Sequence, residues 1–341
     1  MKYIYQNKIF IRIILFQILF LVSCKNTEEK ISEMPVEPIH IEAFEDEFFA
    51  VDSLHFRYYD SIFSKKYFPF YQYYISDIIY YRQELDSSKQ LILKFINDKD
   101  IRYVYQETKK VFKPEFRKQL EDEIKQLHQH IQFYFPDKKL PKRYLTFISG
   151  FNFQIVYPEN SDIIGISTDM YLGSQHQVYV WLQWPRYRVN QLNKEFIPVD
   201  IAKAWLFSIY PYGKYNNLLE HMMYYGKVMY ALKKLLPSTH DSLIFSYSAK
   251  QLEYCKKFEK NLWGYFTEEN RLYDNSPKSI TAYLNDGPFT AAISKECPPR
   301  IGMYIAYKIV ESYMKRNEIS LNELMQENNA QKILQQSKYR P

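Results

Sequence analysis

The first residue in this sequence whose setting specifies a reaction is a cysteine. Leu21-Val22-Ser23-Cys24 closes an apolar run from Ile13 to Val22, broken only by Gln17 and preceded by Lys2, Lys8 and Arg12. A basic head, a short apolar stretch and a small residue at the cut describe a secretory signal over residues 1–23. A cysteine directly after the small residue makes it a lipobox. Its thiol is the nucleophile that takes up diacylglycerol, the leader is then removed, and Cys24 becomes an acylated first residue. The run is too short for a spanning helix, which needs about 20 apolar residues. The expected additions are therefore diacylglycerol and a fatty acyl group such as palmitate on Cys24, with no other cofactor.

Five further residues are candidates to line a cleft: Asp169, Asp200, His221, Lys227 and Arg300. Asp169 follows a predicted strand, so its carboxylate either faces a cleft or accepts backbone N–H groups as a cap. His221 sits beside Glu220 at the edge of a wide apolar stripe, as a hydrogen-bonded boundary residue or a base. Lys227 follows Gly226 on what reads as the polar side of the same helix. Arg300 opens a predicted helix, where a cation opposes the macrodipole. Either a carboxylate partner or a bound anion must offset it. No HExxH, CxxC, GxSxG or P-loop motif occurs. The seven histidines never fall at metal-ligand spacing on a predicted helix, so no metal is expected.

The elements that must position these residues are mostly helical. Residues 24–41 read as a polar tether kept extended by Pro35 and Pro38. Residues 42–341 then read as a single domain with no linker to divide them. The spacing predicts one or two helices over 87–111. A clear helix follows over 114–134, with Phe116, Leu120, Ile124, Leu127 and Ile131 on one stripe. Three short strands are predicted within residues 143–184. Helices return over 216–236, 248–268 and 300–316, with short closing helices after them. Gly226 interrupts the first of these, which points to close approach of another backbone. The fold class is α+β, mainly α-helical: a helical bundle with a small β-sheet.

Composition narrows the function classes. Removing the leader takes away three basic residues, so the formal net charge falls from +6 to +3. So weak an excess gives no reason to expect nucleic acid. The 33 Tyr and 24 Phe are spread along the chain, as for a Tyr-lined core, although an aromatic surface for glycan or peptide is the alternative. Cys255 and Cys297 lie in different predicted elements, as a disulfide or as two buried thiols.

An ordered set of motifs then carries a resemblance. Asp169-Met170-Tyr171-Leu172-Gly173, Asn217-Leu218-Leu219, Tyr224-Tyr225-Gly226-Lys227, Gly287-Pro288-Phe289, Pro299-Arg300-Ile301-Gly302 and the terminal Ser337-Lys338-Tyr339-Arg340-Pro341 follow a lipobox. In this order they resemble the gliding-motility lipoprotein GldB family of Bacteroidetes. The resemblance implies a lipid-anchored envelope protein needed for gliding and linked to type IX secretion. It implies an outer-membrane anchor facing the periplasm, with membrane lipid and other gliding-machinery envelope proteins as partners. It implies no established reaction.

The family is itself distantly similar to predicted zinc proteases. There a small sheet precedes an HExxH helix, and a Glu-Gly pair on a second helix supplies the third ligand. Here Val199-Asp200-Ile201-Ala202-Lys203-Ala204-Trp205 takes the place of the metal helix without a histidine, and Tyr225-Gly226 stands for Glu-Gly. The resemblance thus implies a zincin-like scaffold without its metal motif, used for binding or assembly. The alternatives are an envelope peptidase or hydrolase using Asp169, Asp200 and His221, or a peptidoglycan- or polysaccharide-binding lipoprotein.

Overall fold

The computed structural model describes residues 27–79 and 85–341, so the signal segment and Cys24 lie outside the described residues. The chain begins with α1 (Thr27–Ser32), β1 (Ile41–Ala43) and α2 (Phe44–Phe48). Next come α3 (Phe56–Lys66), α4 (Phe70–Tyr73), α5 (Leu85–Asn97), α6 (Lys99–Val111) and α7 (Pro114–Tyr134). Strands β2 (Arg143–Phe147), β3 (Ile155–Val156) and β4 (Ile163–Ser167) lead to short helices α8 (Gln177–Trp181) and α9 (Arg186–Val189). The helical second half holds α10 (Ile197–Ile209), α11 (Leu218–Leu235), α12 (Asp241–Phe245), α13 (Ala249–Lys257) and α14 (Glu259–Thr267). It closes with α15 (Pro277–Leu284), α16 (Ile301–Arg316), α17 (Leu321–Gln326) and α18 (Ala330–Ser337). The architecture is mainly helical with a small mixed sheet, as the sequence predicts.

The sheet has strand order β1-β2-β4-β3. Strands β1, β2 and β4 run parallel, with Ile41 opposite Tyr144 and Arg143 opposite Ile163. Edge strand β3 is antiparallel to β4, with Ile155 opposite Ile166. Side chains alternate between the two faces of a strand. Tyr144, Ile164 and Ile166 therefore enter the larger core with α7, α10, α11 and α16. Leu145, Phe147 and Ile163 enter a second, strongly aromatic core with Phe44, Phe48, Phe63, Phe70 and Tyr74. Burial on both faces is what parallel strands require.

The predicted stripe of α7 is buried throughout, and Pro114 occupies its first turn. Asp98 divides residues 85–111 into two helices, because its carboxylate accepts the N–H groups of Asp100 and Ile101 as an N-cap.

Three expectations need correction. The stretch read as an extended tether over 24–41 holds α1, with Ile31 buried, and ends by entering β1. The sheet is not confined to 143–184. It takes β1 from upstream, while after β4 the chain has a 3-10 turn at Thr168–Met170, a single bridge from Leu172 to Asn193 and the short helix Gln177–Trp181. The helix expected over 248–268 breaks at Phe258, whose φ of −106° and ψ of 13° separate α13 from α14. Cys255 and Cys297 are free buried thiols. Among the described residues, no helix is long and apolar enough to cross a membrane.

Candidate functional site

Asp169 lies in a single 3-10 turn, Thr168–Met170, at the end of β4. Its carboxylate is fully buried and accepts the backbone N–H of Ser149 at 3.0 Å and of Phe151 at 2.7 Å. The hydroxyls of Ser149 and Ser167 donate to it as well. Gly150 and Phe151 are both left-handed, with φ of 68° and 66°, which wraps the loop around the carboxylate. Burial raises its pKa, and these hydrogen bonds oppose the rise. Asp169 thus accepts backbone N–H groups, as a cap would, but from a distant loop rather than its own turn.

Asp200 occupies the first turn of α10, a helix that packs against β3 and α11. Tyr171 donates its hydroxyl to Asp200 Oδ2 at 2.9 Å, and Gln154, just before β3, donates Nε2 at 3.2 Å. Lys203 Nζ lies 3.5 Å from Oδ1, one helical turn on. Burial pushes the Asp200 carboxyl up while Lys203 draws it down. Burial pushes the Lys203 amine down while Asp200 supports it. Two charges removed from water gain by facing each other.

Arg300 is brought to this cluster from 100 residues away; its charge acts on both Asp200 and Lys203. It is the left-handed N-cap of α16, with φ of 55°. A non-glycine residue held there costs roughly 1–3 kcal/mol unless its surroundings fix it. Its guanidinium donates to the carbonyls of Phe245 at 3.1 Å and Ser246 at 3.3 Å. Its Nε lies 3.7 Å from Asp286 Oδ1, and Gln191 donates to the other oxygen of Asp286 at 2.8 Å. A carboxylate does face Arg300, as one of the two sequence expectations has it, though Asp286 is partly exposed rather than buried. Beside it opens a cleft of about 410 Å³, lined by Arg186, Tyr187, Gln191, Tyr247, Asp286 and Arg300.

His221 and Lys227 belong to a different part of α11. His221 is hydrogen-bonded to the Tyr212 hydroxyl and lies edge-on to Tyr215 at 5.3 Å. Partial burial lowers its pKa. Lys227 is not on a polar side, as the sequence suggests, but buried. Its ammonium donates to the carbonyls of Met325 at 3.2 Å and Glu327 at 2.7 Å, groups that the C-terminal end of α17 leaves without helical partners. Burial lowers its pKa to about 8.

The structure therefore brings Arg300 within electrostatic reach of Asp200 and leaves Asp169, His221 and Lys227 with partners of their own. Sequence reasoning placed Lys203 only within the stretch 199–205, and it did not single out Tyr171, Gln154 or Asp286 as Asp200 or Arg300 partners. Of these, Lys203 carried a local signal, three residues after Asp200 on one helix face. Among the described residues, no three His, Cys, Asp or Glu side chains are grouped to hold a metal ion.

The family described as gliding motility protein GldB matches residues 24–341. The chain belongs to the gliding motility protein GldB family. Membership ties it to gliding motility, and the family's lipoprotein label supports lipid anchoring. No curated protein and no solved structure matches the chain. The match takes in the Asp200–Arg300 cluster, the α11 residues and both cores.

Proposed function

We propose that this member of the GldB family is a lipid-anchored envelope component of the gliding machinery that acts by binding and assembly. The family match over residues 24–341 carries this reading. The state of the candidate acids and bases supports the non-catalytic part. Asp169 is spent on loop 149–151, Asp200 on Tyr171, Gln154 and Lys203, and Lys227 on the end of α17. Buried, fully hydrogen-bonded groups of this kind rigidify the fold around them.

The binding face is the cleft beside Arg300. The chain keeps the element order that the resemblance to a zincin-like scaffold implies, a small sheet, then α10, then α11. The edge strand is only two residues long, and α10 packs on it through Gln154 and Asp200. A long peptide strand added to that edge is thus a poorer fit than a partner loop set into the cleft. The anchor is Cys24, in the outer membrane with the body in the periplasm, and the partners are other envelope proteins of the gliding and type IX secretion apparatus.

The test is a Cys24→Ser variant in cells that glide, together with crosslinking in intact cells from a residue at the cleft such as Tyr187. Release of the variant into the soluble fraction and loss of gliding are expected, with gliding-machinery proteins among the crosslinks. Full gliding by an unanchored protein would overturn the reading.

A further inference from the structure

The chain after the lipid site is short, and it is fastened. Cys24 and Thr27 are three positions apart, so their separation is limited to about 10 Å. Thr27 already begins α1, and α1 is docked. Ile31 is only 1% exposed. Gln129 of α7 donates to the carbonyls of Ser32 at 2.8 Å and Met34 at 3.1 Å. Glu28 meets His130 Nε2 at 3.1 Å. These contacts keep residues 27–34 from paying out as a flexible leash.

The direction in which the chain leaves is also set. The Glu28–His130 contact puts the start of α1 beside the last turns of α7. Residues 129, 130, 133 and 134 share one helix face. Phe133 in that last turn is 39% exposed and lies edge-on to Tyr134 at 5.0 Å. Lys138 and Lys139 follow the helix. Aromatic rings with long basic side chains beside them suit the headgroup layer of a bilayer. Glu28, Glu29 and Lys30 on α1 make the surface mixed in charge, so contact does not depend on anionic lipid.

We propose that the α1–α7 end of the molecule rests directly in the headgroup layer of the membrane that holds Cys24, with Phe133 at the contact. The proposal rests on Cys24 carrying the lipid. It replaces a body swinging on a long tether with a body held in one orientation, so that one fixed face is presented to partners.

The acylated protein is reconstituted into vesicles of phosphatidylethanolamine and phosphatidylcholine. A fluorophore is placed at Phe133→Cys or, as control, at exposed Lys250→Cys on α13; the native Cys255 and Cys297 are buried and do not label. Lipids carrying a headgroup quencher should quench position 133 several-fold more than position 250, at low and high salt alike. A flexible Gly-Ser insert of about ten residues between Asn26 and Thr27 should abolish that difference while the protein still floats with the vesicles. Equal quenching at 133 and 250 on vesicles that carry the protein would overturn the docked face and leave the anchor standing. Failure to float at all would overturn both.

Discussion

Gly226 and Ala306 bring the backbones of α11 and α16 into contact: a Cβ built on Gly226 falls 2.6 Å from the Ala306 carbonyl carbon and 2.7 Å from its oxygen. This is the close approach that a glycine inside an apolar helix predicts. Gly226→Ala must push the two helices apart. Overpacking costs about 1–3 kcal/mol, against a gain of about 1 kcal/mol in helix propensity. Urea unfolding should show a lower midpoint with an unchanged slope. Ala306→Gly should not rescue it, because the two nearest atoms are backbone. A Gly226→Ala protein as stable as the parent would show that the helices can separate freely.

The pH dependence of stability should hide two opposed contributions. Glu45 in α2 is buried with Oε2 unpartnered, and burial raises its pKa from 4.5 to about 7. The folded state then holds a proton that the unfolded state releases. Its contribution is full below pH 4.5 and is lost as pH rises through 7. His128 is buried against the Tyr144 hydroxyl at 2.8 Å, and burial lowers its pKa from 6.5 to about 4. Its contribution is present above pH 6.5 and is lost as pH falls through 4. Each is worth roughly 3 kcal/mol, and between pH 4.5 and 6.5 they offset each other. Glu45→Gln should gain stability relative to the parent as pH rises from 4.5 to 7; His128→Gln should gain it as pH falls from 6.5 to 4. Profiles parallel to the parent would refute the assignment.

The thiols should be inert in the folded protein. Burial pushes Cys297 up to about 12 and Cys255 higher still, and the thiolate is the reactive form. Neither should react with a thiol reagent until the chain unfolds, when both titrate. A reductant should leave the melting temperature unchanged. A reductant-sensitive melting temperature would instead reveal a disulfide that the structure lacks.

What was legible in the sequence was local. The stripe of α7 follows from spacings of three and four residues, and it is found buried. Strand β1 was hidden because Ile41-Glu42-Ala43 is too short to show alternation; it is a strand because β2 offers it a ladder. Lys227 was misplaced because a wide apolar stripe leaves little polar side to assign. Its burial depends on carbonyls about 100 residues away. Arg300 finds Phe245 and Ser246 by the same non-local route, which no local spacing could reveal.

The Asp200–Lys203 pair supplies the decisive test of a site built for shape. Lys203→Met leaves Asp200 buried with Tyr171, Gln154 and the more distant charge of Arg300, and Asp200→Asn leaves the buried Lys203 ammonium without its nearest carboxylate. Removing one partner of a buried pair costs more than the pair contributes, because the charge left behind stays uncompensated. The double variant should therefore be less destabilised than the two single effects added together, with a coupling of about 0.5–3 kcal/mol in a double-mutant cycle. If the pair only maintains the cleft, the double variant should also recover gliding in proportion to its recovered stability. A stable double variant that cannot glide would mean instead that these charges touch the partner, and would move the contact from the Arg300 cleft to the Asp200–Lys203 pair.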